Sequence, residues 1–157
     1  ILKNLTVGMR GKVADTIRMD FEQNMGKLYP FSLKQKLDVI TETLPAYDPA
    51  TAADTTWTRA IIPLEMISVL AEYSSDQAAS PVNRPPVRLF ADLEIKVTDG
   101  PLLVGEDYMI EREIACISES RRTESYWVRS TIKDPSTGKV KAEVLLNHAS
   151  LKDTYAG

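Results

Sequence analysis

The carboxylates, the lone histidine and one helix start are where this sequence of 157 residues can do chemistry. In the run Ile61-Ile62-Pro63-Leu64-Glu65-Met66, Pro63 is predicted as the first helical residue, where its missing N–H costs nothing. First-turn amides of a helix have no internal acceptor and carry partial positive charge. Those of Leu64 and Glu65 can polarise a carbonyl oxygen, as an oxyanion hole does, or be capped by a side chain or water. Glu65 is the third helical residue if Ile62 is the N-cap. The helix dipole favours a carboxylate there by ~0.3–1 kcal/mol without any function, and the same carboxylate is a general-base candidate if it faces a pocket. Asp48 precedes Pro49, where its simplest use is to cap a turn. Tyr47 offers either a hydroxyl or a packed ring. Arg59 suits a phosphate or carboxylate, or an ion pair at the surface. His148 is the only histidine and shares strand parity with Val140, Ala142, Val144 and Leu146. It therefore points coreward, as a hydrogen-bonded structural residue or as a base whose partner comes from elsewhere.

Other chemistries are excluded by what is missing. One His, one Cys and scattered carboxylates make no metal-ligand spacing, and seven glycines are too dispersed for a phosphate-cradling loop, so no metal and no cofactor is expected. The 19 basic and 22 acidic residues give a net charge of -3, which is not a nucleic-acid binder's balance. Cys116 has no second cysteine to pair with. No apolar run approaches the ~18 residues of a membrane span. The first residues, Ile1-Leu2-Lys3-Asn4, show neither an initiator Met nor a signal-like stretch, so a lost leading segment and a cytoplasmic location are expected. With 43% hydrophobic and 26% charged residues, the chain reads as a single domain over 1–157 that needs no staple to fold.

The elements that must position these residues follow from periodicity. Lys12 to Asp20 alternates loosely, as a strand. Ser32 before Leu33, Leu37 and Ile40 predicts a short amphipathic helix with a Ser N-cap. Pro45 and Pro49 end it in a loop. The segment from Pro63 to about 74 is a helix with Ile62, Met66, Val69 and Tyr73 in one stripe, thickened by Ile67 and Leu70, and is therefore buried. Ser80 to Pro86 is the widest break, a connection within one domain. Beyond it Val87, Leu89, Ala91, Leu93, Ile95 and Val97 alternate strictly with Arg88, Phe90, Asp92, Glu94 and Lys96. Tyr108, Ile110, Arg112, Ile114 and Cys116 start a second alternating run. Thr123 to Ile132 is a third, with Tyr126 and Trp127 on opposite faces. Asp134 to Gly138 is a turn, and Lys139 to Ser150 returns as a fourth strand. Arg121-Arg122 falls at a strand start, in solvent or against a phosphate. One buried helix followed by a meander is an α+β design, an antiparallel sheet wrapped around a central helix.

Asp48-Pro49-x-x-Ala52, Trp57, Ile61, Pro63 and Met66, with Gly105-Glu106-x-Tyr108 and Thr137-Gly138-Lys139-Val140 later, resemble the MaoC-like hot-dog proteins over about residues 45 to 152. The resemblance implies a single hot-dog domain that pairs as a homodimer, with a pocket where the helix start meets the partner. It implies an acyl-thioester or related carbonyl substrate, with coenzyme A as one possible carrier, and hydration, dehydration or a related lyase or isomerase step. Asp48, Glu65 and His148 are then the candidates for proton transfer, and Tyr47, Trp57, Arg59 and Leu64 for substrate binding. The chain departs from the family where hydratases keep an Asp and a His. Aligned on Asp48-Pro49, those positions hold Thr41 and Ala46. A non-catalytic module that binds an acyl chain or stabilises a partner, and a thioesterase, therefore stand beside the hydratase-like reading.

Overall fold

The computed structural model describes residues 2–27, 29–73 and 89–154. Five strands form one antiparallel sheet: β1 (Ala14–Ile17), β2 (Leu89–Val97), β3 (Tyr108–Glu119), β4 (Thr123–Lys133) and β5 (Val140–Leu151), in the order β1-β3-β4-β5-β2. The last three strands are the expected meander. Between the two edge strands in sequence the described residues form three α-helices, α1 (Leu33–Leu37), α2 (Pro49–Ala52) and α3 (Leu64–Tyr73). A chain that leaves one edge of the sheet and returns to the other must cross its face, and α3 lies in that crossing. Met66, Ile67, Leu70 and Ala71 of α3 pack with Ile110, Ile132, Ala142 and Val144 of the sheet. This is the α+β hot-dog arrangement.

Local chemistry sets most boundaries. Ser32 caps α1 through a full capping box, its hydroxyl accepting from the Gln35 amide while the Gln35 side chain accepts from the Ser32 amide. The helix ends at Leu37, so Ile40 lies beyond it and not on the predicted stripe. Pro63 stands one residue before α3, its carbonyl accepting from the Met66 amide, and Glu65 is accordingly the second helical residue. The Asp134 carboxylate gathers the Ser136 and Thr137 amides, and Gly138 takes φ 71° to close the predicted turn.

Three expectations change. The buried stripe of α3 is Met66, Ile67, Leu70 and Ala71, while Val69 and Tyr73 are only half-buried, because α3 lies on the sheet along a face turned toward Ile67 and Ala71. The alternating apolar residues of β2 do not enter the core as a set: Leu89, Leu93 and Val97 are exposed and only Ile95 packs inward. As the sheet's edge among the described residues, β2 has one strand neighbour, β5. The break at Ser80 to Pro86 and the start of this strand, Val87 and Arg88, lie outside the described residues. Finally, a bulge in β3 between Ile114 and Cys116 flips the alternation, so Cys116 is exposed and Ile117 takes the inward place opposite Tyr126.

On the inner face the residues lie in rows. Ile110, Ile132 and Ala142 form one, Arg112, Ser130 and Val144 the next, then Ile114, Val128 and Leu146. Arg112 is buried and donates from Nη2 to the Ala71 carbonyl in the last turn of α3, where the helix dipole favours a cation. Burial pushes its pKa down, and its Nη1 has no hydrogen-bond partner among the described residues. Tyr126, Ile114, Val128 and Leu5 make a second, smaller apolar cluster beyond that row.

Outside the core, Asp99 after β2 is held by Lys139 at 2.8 Å and Lys141 at 2.7 Å, which lower its pKa to about 2. A carboxylate whose folded pKa is depressed contributes stability above its unfolded value, near 3.8, and loses it as pH falls toward 2. Asp99→Asn is therefore expected to flatten the acid limb of the stability curve between those values. An acid titration monitored by circular dichroism checks this, and equal steepness in both proteins would reject it.

Candidate active site at the start of the central helix

The start of α3 is pinned by backbone on both sides. The Ile61 amide donates to the Ala46 carbonyl at 2.9 Å, the Ile62 amide to Leu102 at 2.8 Å, and the Val104 amide to Ala60 at 2.9 Å. These bonds consume the carbonyl of Ala60, the residue four before Leu64. Among the described residues the amides of Leu64 and Glu65 donate no hydrogen bond, so two partially positive N–H groups remain at the helix start.

In front of them is a cavity of about 410 Å³ lined by Lys36, Ile40, Thr41, Tyr47, Pro63 and Glu65, among others. Its lining residues include two carboxylates (Glu42 and Glu65), the Lys36 ammonium group, the Tyr47 phenol and the Thr41 hydroxyl. The Glu65 carboxylate lies 3.7 Å from the Lys36 ammonium. Both groups are partly open to water, and such a pair adds only ~0–1 kcal/mol to stability, so the fold does not depend on it. Lys36 was not singled out from the sequence. Its signal was its place on the polar side of a short helix whose Leu33 is fully buried.

A second cavity of about 640 Å³ adjoins the first, sharing Ile40 and Tyr47 with it. Phe21, Leu37 and Leu44 give it apolar walls, and Asp48 lies at its edge. Asp48 is exposed and caps α2, accepting from the Ala50 amide at 2.8 Å. Tyr47 is thus the one predicted residue that touches both cavities, and it meets Glu65 in the first and Asp48 in the second.

The remaining predicted residues are not gathered there. Arg59 forms an ion pair with Glu106 at the surface. Trp57 is 46% exposed and Leu64 56% exposed, and neither lines the two cavities. His148 is buried on the inner face of β5, stacked on Tyr126 with ring centroids 5.0 Å apart and edge-on to Phe90 at 5.3 Å. It lines neither cavity. No cluster of possible metal ligands occurs among the described residues, and no described helix is long and apolar enough to cross a membrane.

No family model and no curated protein matches the sequence. Solved structures do match the fold. A MaoC-like dehydratase from Rhodospirillum rubrum superposes with a TM-score of 0.68 at 13% identity, over 96% of this chain and 95% of that one. The fold is that of the MaoC-like hot-dog dehydratases. A MaoC-like fold is also what this chain shares with the C-terminally truncated HadBC (3R-hydroxyacyl-ACP dehydratase) complex of Mycobacterium tuberculosis, at a TM-score of 0.66 and 18% identity, covering 93% of this chain and 100% of that one. The (R)-hydratase from A. caviae involved in PHA biosynthesis gives 0.61 at 16% identity, with 92% and 96% covered. At these identities the likeness of this chain to its neighbours lies in the fold.

Proposed function

We propose that this chain hydrates or dehydrates an acyl thioester in the cavity at the start of α3. The observation that carries the reading is the convergence there of Glu65, Tyr47 and the start of α3, where the Leu64 and Glu65 amides donate no hydrogen bond among the described residues. The amides polarise the thioester carbonyl, which acidifies the α-carbon, and Glu65 moves a proton between water and substrate. Asp48 is the second carboxylate, reached past Tyr47. The test is a panel of 2-enoyl and 3-hydroxyacyl thioesters of coenzyme A and pantetheine, assayed for water addition and loss and soaked into crystals. Turnover with a carbonyl oxygen at the Leu64 and Glu65 amides is the expected result. Neither turnover nor binding would reject it, and release of free thiol would mark a thioesterase instead.

A second reading, a non-catalytic module that steadies a partner, is favoured by Thr41 and Ala46 at the positions where the resemblance expects Asp and His. Binding of the panel without any turnover is its signature. Either reading includes a second copy. Among the described residues β2, nine residues long, is an edge with no strand on its outer side and with Leu89, Phe90, Leu93 and Val97 exposed, and long apolar edges are normally covered. A symmetric homodimer through this edge is expected, and light scattering should give twice 17.5 kDa at micromolar concentration. A mass of one chain would count against it. A cytoplasmic location, where thioester carriers are kept, goes with the same reading.

A further inference from the structure

The resemblance leaves the usual acid and base positions empty of titratable groups, yet the cavity at the start of α3 contains a carboxylate and an ammonium facing one another. We propose that Lys36 and Glu65 form the proton-transfer pair of this protein, with Lys36 as the acid and Glu65 as the base. This rests on the hydratase-like reading and names the second member of its machinery.

Both groups stand on anchored elements. Lys36 is in α1, which is fixed by its capping box, by the fully buried Leu33 and by the Lys34 amide donating to Phe21 at 2.9 Å. Successive helical residues turn by about 100°, so Lys34 and Lys36 point about 200° apart around α1. Lys34 accordingly pairs with Glu22 at 2.9 Å beside the larger cavity, and Lys36 alone is delivered to the smaller one. Glu65 is in the first turn of α3, next to the amides that would hold the carbonyl oxygen. Glu42 and Tyr47 are the other titratable groups lining the cavity.

In the hydration direction Glu65 takes a proton from water as its oxygen bonds to the β-carbon of a 2-enoyl thioester. The double-bond electrons move to the α-carbon through the thioester carbonyl, and Lys36 Nζ gives that carbon a proton. The proton on Glu65 then passes to the neutral amine of Lys36 across the 3.7 Å gap, and the pair is restored with one water added. An ammonium fits the acid role because it can lose its proton, which a guanidinium cannot do near neutral pH.

The experiment compares wild type, Lys36→Met, Lys36→Arg and Lys34→Met on the enoyl thioester panel, with hydration rates followed across pH and deuterium incorporation at the α-carbon followed by NMR. Lys36→Met is expected to lose ~10²–10⁴-fold in kcat and to lose deuterium incorporation at the α-carbon in the same proportion. Lys36→Arg keeps the charge and is expected not to rescue the rate, while Lys34→Met behaves as wild type. Circular dichroism establishes that each variant is folded. Active wild type with Lys36→Met within about threefold of it would overturn the pair and leave the hydratase-like reading standing. Rescue by arginine would overturn the acid role and make Lys36 a positioning residue. A wild type inert on the whole panel would overturn both.

Discussion

Glu65→Gln is expected to lower thioester turnover by ~10²–10⁴-fold while leaving the protein folded. Glutamine has the shape and hydrogen-bonding reach of glutamate, and it still serves the first turn of a helix, but it cannot exchange a proton. The exposed position of Glu65 means that little packing is lost. Asp48→Asn is the companion, and the structure gives it a sharper alternative than the sequence did. Asparagine can accept from the Ala50 amide as Asp48 does, so a capping role predicts almost no change in rate or stability. A large loss in Asp48→Asn with an intact melting curve would make it a proton carrier. Steady-state kinetics on any thioester that the wild type turns over decide both. If both variants keep near-normal rates, the assignment of these carboxylates fails.

Met66→Ala is expected to destabilise the protein by ~2–5 kcal/mol. Met66 is 1% exposed and sits in the cluster that joins α3 to the sheet. Removing its thioether stem leaves a cavity in that cluster. Leu64, two residues earlier and 56% exposed, is the contrast. Its truncation should change stability by no more than ~0.5 kcal/mol, as surface substitutions do. Urea unfolding at equilibrium measures both. A loss below ~1 kcal/mol for Met66→Ala would mean that α3 presents another face to the sheet.

Much of this fold was legible because its signals are local. Ser32 with Gln35 three residues on announces α1, the Asp134 to Gly138 turn carries its own hydrogen-bond chemistry, and the alternations of β4 from Tyr126 onward and of β5 as far as Leu146 match their burial. What the sequence concealed depends on neighbours distant along the chain. Alternation in β2 looks the same whether one face is buried or the strand is an open edge, and only the order of the sheet distinguishes them. The bulge that turns Cys116 outward leaves no mark in residue types. The site was half legible. Glu65, Tyr47 and the α3 amides were visible from the proline and the helix start, whereas Lys36 is brought in by the packing of α1, which no spacing along the chain encodes. Arg59 read as a binder or a paired cation, and its pairing with Glu106, residues away on another loop, was beyond local pattern.

The Arg112 and Ser130 row has a consequence for cooperativity. It divides the inner face into a large apolar cluster under α3 and a small one formed by Leu5, Ile114, Tyr126 and Val128. The small cluster is closed by the N-terminal segment, which is tied to β3 by the Gly8 amide donating to Ile114 at 2.8 Å and the Ile114 amide donating to Met9 at 2.8 Å. Opening that segment would uncover this patch while the hydrogen bond from Arg112 to α3 lies in the other cluster, so amides of the N-terminal segment are expected to exchange with solvent sooner than those under α3. The site at the start of α3 adjoins the larger cluster and is expected to keep its geometry while the smaller one opens.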